Sequence, residues 1–144
     1  MSKRIITLGG GMVGSAIARD LKEQKYSVTV ADRDESLKAR LAPFGIDYLG
    51  LDFSNNNAVT DAVKNFDLVI GAVPGFMGFD ILETVLETGK DMVDISFMPE
   101  DSRDLTELAE KNKVTTITDA GVAPGLSNLL FGRALFEYDE LHSA

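Results

Sequence analysis

Cysteine is absent from the sequence, and histidine occurs once, as His142 near the C-terminus. Without cysteine there is no disulfide frame, no thiolate metal site and no cysteine nucleophile. A lone histidine rules out His-based triads and His-rich zinc centres, so no metal site is expected; His142 itself reads as solvated tail. Positive charge is also scarce: 14 Lys and Arg stand against 23 Asp and Glu, a net charge of −9. Nucleic-acid binding without sequence preference needs a basic face, and this balance argues against one. Long apolar runs are missing too, none approaching the roughly 20 residues of a bilayer span. After Met1-Ser2-Lys3-Arg4 only about five apolar residues follow before glycines, too few for a signal-peptide core. The expectation is a soluble, cytoplasmic chain with no membrane partner.

What is present is 144 residues, 44% of them apolar, enough for one domain with a sizeable core. Strand-like and helix-like patterns alternate from end to end. Arg4–Leu8 is short, β-branched and closed by glycines, and reads as a buried strand. Val13, Ile17 and Leu21 then recur at helical spacing. Strands are expected over 27–31, 46–51, 67–72, 92–95 and 114–118. A short helix from Asp34 to Leu41 is stopped by Pro43 and Gly45. Ser54-Asn55-Asn56-Asn57 suits a helix cap, and Gly89 a helix stop. Leu105, Leu108 and Ala109 mark a further helix, and Pro124 to Tyr138 the last. Such alternation argues for a parallel sheet covered on both faces, an α/β doubly wound Rossmann-type fold with strand order 3-2-1-4-5-6.

Between the first strand and first helix stands Gly9-Gly10-Gly11-Met12-Val13-Gly14, a G-x-G-x-x-G in the setting that motif requires. Gly9 permits the tight turn, Gly11 lets backbone approach a pyrophosphate, and Gly14 lets the helix pack close. Helix N–H groups there, with Met12 and Val13 in the turn, hold phosphates. Asp32 ends the second strand 18 residues after Gly14, where an acid can bond the adenosine ribose and repel a 2′-phosphate. That favours NAD. Arg33 beside it can stack on adenine or neutralise a 2′-phosphate, which keeps NADP admissible. Asp52-Phe53 reads either as an adenine border or as a cap and a core aromatic. Val73-Pro74-Gly75 follows the fourth strand at the ligand-binding edge, to shape the nicotinamide site or simply to punctuate a loop. Asp94 and Asp119, after the fifth and sixth strands, are the candidate catalytic acids, although caps and turns use the same residues.

Taken together, the glycine run, Ala31-Asp32-Arg33-Asp34, Ala72-Val73-Pro74-Gly75, Val93-Asp94-Ile95-Ser96-Phe97 and Asp119-Ala120-Gly121-Val122-Ala123-Pro124-Gly125-Leu126-Ser127-Asn128 resemble the cofactor-binding part of saccharopine dehydrogenase-like enzymes. The run is most similar to saccharopine reductases and L-lysine 6-dehydrogenases. The resemblance implies NAD(P)-dependent chemistry at a carbon bearing an amine, with an amino acid of lysine or saccharopine type as substrate. It carries Gly9, Gly11, Gly14 and Asp32 over as cofactor contacts. Pro74, Asp94, Asp119 and Gly121 come over as the floor of the nicotinamide and substrate site. Family members continue into a substrate-binding, dimer-forming domain, so residues 1–144 are expected to be one NAD(P)-binding domain without it. The last helix agrees: Leu126, Leu129, Leu130, Phe131, Leu135 and Phe136 spread too widely for one buried face. A covering partner or self-association into a homo-oligomer is therefore expected. The competing function is a nucleotide-sensing regulatory domain similar to those of potassium-transport regulators. A sensor gives no reason for aspartates after strands five and six.

Overall fold

The β-branched run at the N-terminus forms the middle of the sheet in the computed structural model, which describes residues 2–139. The strands are β1 (Arg4–Leu8), β2 (Ser27–Asp32), β3 (Asp47–Gly50), β4 (Leu68–Gly71), β5 (Met92–Asp94) and β6 (Thr116–Ile117). They pair in parallel in the order β3-β2-β1-β4-β5-β6. The chain therefore reverses its winding between β1 and β4, and the carboxyl ends of those strands open a crevice. His142 lies outside the described residues.

The helices are α1 (Met12–Glu23), α2 (Ser36–Leu41), α3 (Asn56–Val63), α4 (Gly75–Glu87), α5 (Thr106–Asn112) and α6 (Leu126–Glu137). One sheet face packs Ile6, Leu8 and Val69 against Val59 and Val63 of α3 and Ile81, Leu82 and Val85 of α4. On the other face Val28, Val30 and Ile46 meet Ala18 of α1 and Leu37 and Leu41 of α2. Each such Val, Leu or Ile side chain, fully buried, contributes about 1.5–3 kcal/mol relative to exposure. Helix α6 joins neither layer, and none of its residues is buried. No helix of the described residues is long and apolar enough to cross a membrane.

Three local expectations shift. The buried residues of α1 are Gly14 and Ala18, not Val13, which is exposed. The first turns of the helix lie so close to the sheet that small residues face it, and only further on does a large one, Leu21, pack against the core. Helix α2 begins at Ser36 because the Asp34 carboxylate first accepts the Ser36 N–H at 3.0 Å in a side-chain turn. Strand β6 keeps only two residues. The Val114 N–H closes back on the Ala109 carbonyl, and the Thr115 N–H donates to the Asp91 carboxylate. The expected cap is in place, with Asn55 accepting the Ala58 N–H at 3.1 Å to start α3.

Candidate functional site

Gly9, at the end of β1, has a φ of 100°, open to glycine, and a Cβ there would strike the Ala72 carbonyl of the neighbouring strand. A Cβ on Gly14 would strike the Gly9 carbonyl, and one on Gly10 would strike Leu37. Packing thus demands three of the four glycines. Gly11 differs: its φ is −59°, and nothing lies within 4 Å of where its Cβ would be. Neither strain nor packing accounts for glycine there, whereas a ligand backing onto the chain would. The first turn of α1 begins at this point, with no acidic residue in it and with N–H groups that lack intrahelical partners. Positive dipole and free donors therefore face open space, as an anionic phosphate requires.

A cleft of about 740 Å³ opens in front of this turn. Gly9, Gly11, Met12, Val13 and Gly14 line one wall, Asp32, Arg33 and Asp52 one end, and Val73 and Pro74 the floor. The expected cofactor residues meet here, all but Gly121. Phe53 also borders the cleft, as do Phe76 and Met77 at the start of α4 and Ile95, Ser96 and Phe97 after β5. Phe76 and Met77 give no sign in sequence beyond following Pro74-Gly75. Exposed Phe76 and Phe97 supply flat apolar surface at the cleft rim.

At the adenosine end, the Asp32 carboxylate receives the Gly10 N–H at 2.7 Å and the Asp34 N–H at 2.9 Å. These bonds hold the carboxylate against the glycine turn and leave it lone pairs for a further donor. Acids and arginines share these surroundings, Arg19, Arg33 and Arg40 among them. The Tyr48 phenol, which donates to the Asp32 carbonyl, is pushed above its ordinary pKa by desolvation and then by Glu35, Asp32 and Asp34. Asp52 is held below the usual carboxylate range by the Ser54 N–H and hydroxyl, with Arg33 contributing.

The second half of the site divides. Asp119 has a left-handed φ of 55° and, with Gly121, lines a separate pocket of about 520 Å³ between β6 and α6. A Cβ on Gly125 would strike the Gly121 and Asp119 carbonyls, so the loop closes tightly on itself. Asp94 is 0% exposed. Its carboxylate turns inward, accepting the Ser96 N–H at 3.0 Å, while its backbone carbonyl receives the Ala120 N–H at 3.0 Å. Burial lifts its pKa to about 6 despite the Ser96 bonds that lower it, with Asp119 adding to the rise. A carboxyl so enclosed meets no substrate directly and can act only through Ser96. Arg103 and Arg133, in the second half of the chain, are engaged with neighbours, Arg103 with Asp101 and Arg133 with Glu137.

Sheet order, switch point, glycine turn and strand-end acid together define a Rossmann-type dinucleotide-binding domain. The chain belongs to the saccharopine dehydrogenase NADP binding domain family, whose profile it matches over residues 5–117. It is 27% identical over 146 residues to saccharopine dehydrogenase [NADP(+), L-glutamate-forming] of Saccharomyces cerevisiae, covering 100% of this chain and 32% of that protein. The Schizosaccharomyces pombe protein of the same name is 28% identical over 144 residues, covering 97% and 31%. The solved structure of the S. cerevisiae enzyme superposes with a TM-score of 0.83 at 24% identity, over 94% of this chain and 31% of that one, a likeness of fold. The chain spans about a third of the length of these curated relatives.

Proposed function

We infer that this chain is the NAD(P)(H)-binding unit of an oxidoreductase acting on the CH–NH group of an amino acid of the saccharopine or lysine type. One observation carries the reading: Gly11 is free of every packing demand and stands at the mouth of a donor-lined, positively polarised helix end. Family membership and the activity in the relatives' names support an amine-bearing substrate over a purely regulatory role. Asp119 and Gly121, at the pocket beside α6, are the residues we place at the floor of the nicotinamide and substrate site.

The reading takes NAD as the preferred cofactor, although the relatives' names carry NADP(+). Asp32 and Asp34 sit where a 2′-phosphate would bring more negative charge, and Arg33, with Arg19 and Arg40 beside the same acids, supplies the opposing cations. Losing the ribose bonds and gaining repulsion is worth about 1–3 kcal/mol against NADP. Calorimetry should show tighter binding of NAD than NADP, and Asp32→Ala should weaken NAD and narrow the gap. A wild-type preference for NADP would hand the decision to Arg33. By itself the chain is expected to bind cofactor without turning over substrate. A substrate α-carboxylate needs a cationic clamp, and the Arg103 and Arg133 guanidiniums are tied to their own neighbours. Steady nicotinamide absorbance change with NAD and lysine, or NADP and saccharopine, would overturn that expectation.

A further inference from the structure

Asp94 has no task in the reading above, yet the fold makes a place for it. Gly71 on β4 must be glycine, because a Cβ there would occupy the position of Asp94 Oδ1. The Ser96 side chain lies against Gly78 of α4, so the strand end, the turn and the helix close around one carboxyl. Asp119, on the loop after β6, is the charged group that acts on it, while Gly71 and Gly78 bring no charge.

The hydrogen count at Ser96 decides what this arrangement does. Ser96 Oγ lies 3.0 Å from Asp94 Oδ1 and 3.1 Å from the Val73 carbonyl oxygen. Both contacts are to oxygens that accept, and a hydroxyl has one hydrogen to give. A carboxylate at Asp94 competes with the Val73 carbonyl for it. A neutral carboxyl instead donates its own proton to Ser96 Oγ, and the Ser96 hydrogen goes to Val73. Oδ2 accepts the Ser96 N–H in both states. Val73 forms the floor of the dinucleotide cleft.

We propose that Asp94 is a positioning residue for the dinucleotide cleft: its protonation state decides whether Ser96 ties the β5 turn to the Val73 carbonyl. When neutral, Asp94 completes a chain from carboxyl to hydroxyl to carbonyl, and the cleft floor is pinned. As carboxylate it withdraws the Ser96 hydrogen, and the floor is released. The pKa of about 6 puts this exchange near neutral pH. The link to cofactor rests on the cleft being the dinucleotide site; the hydrogen-bond exchange itself does not.

The test has two arms on the full chain. Carbon-13 NMR without cofactor should show the Asp94 carboxyl and the Val73 carbonyl titrating with one midpoint, and the Val73 response should vanish in Asp94→Asn and in Ser96→Ala. Calorimetry with NAD should show binding about threefold to tenfold weaker at pH 7.5 than at pH 5, the scale of one hydrogen bond. In Asp94→Asn, a permanently neutral donor, that pH step should be lost and affinity kept at its pH 5 level. In Ser96→Ala the step should also be lost, with affinity at its weaker level. A Val73 carbonyl indifferent to Asp94, or a pH step that survives in Asp94→Asn, overturns the proposal. Failure to bind NAD at any pH, with the NMR coupling intact, overturns the cofactor reading and leaves the exchange standing.

Discussion

Gly11 and Gly14 stand three residues apart and are glycine for opposite reasons. Gly14 is fixed by the protein, since a Cβ there meets the Gly9 carbonyl, while nothing lies within 4 Å of where a Cβ on Gly11 would stand. Gly14→Ala should therefore lower the urea midpoint, whereas Gly11→Val should leave it nearly unchanged and abolish NAD binding. Loss of folding in Gly11→Val, or retained binding, would contradict the assignment. Asp94 makes a second prediction at this scale. Its pKa is about 6 in the folded chain against 3.8 when free, so from pH 4 to 6 the native state holds the proton that the unfolded chain has released. Stability therefore falls as pH rises through that window and is level above it, by about 3 kcal/mol at most. Asp101, held near 2 by Arg103, and Asp34 and Asp52, lowered by Ser36 and Ser54, titrate below the window. Denaturation curves should show the slope in wild type and its loss in Asp94→Asn.

At the scale of the element, the parts legible in the sequence were those whose causes are local. The turn from β1 into α1 and the acid ending β2 lie within about thirty residues, and each residue's chemistry follows from that short strand–turn–helix. Ser96 and Phe76 carry no such local signal, because their place in the cleft depends on β5 and α4 meeting across the sheet. The start of α1 is illegible for a related reason: close approach selects Gly14 and Ala18, which periodicity of large residues cannot register, while Leu21 of the same stripe does pack against the core. Helix α6 is the reverse case. Its apolar spread is too wide for a single buried face, yet the structure buries none of its residues, and Phe136 is 92% exposed. Phe136→Ser and Leu129→Ser should change stability by less than about 0.5 kcal/mol. Leu82→Ala on α4, by contrast, should cost about 2–5 kcal/mol. A large loss from the α6 variants by chemical denaturation would mean that the helix is packed in solution.

Across the whole molecule, cover is unequal. Strands β1 and β2 have helices on both faces and paired neighbours on both edges. Strand β6 has one paired edge, two residues, and Ile117 exposed at its end. Amide exchange should report this as a gradient of opening, with Leu8, Val30 and Val69 exchanging only through complete unfolding and Ile117 through a local event of lower free energy. Uniform protection would sink the idea. The same gradient separates what a bound dinucleotide can slow from what it cannot. Ligand held by the glycine turn disfavours any opening that destroys the turn, so protection at Leu8 and Val30 should climb with the logarithm of NAD concentration. Release of β6 leaves that turn whole, and Ile117 should exchange at one rate with or without NAD: the grip of the cofactor ends before the sheet does.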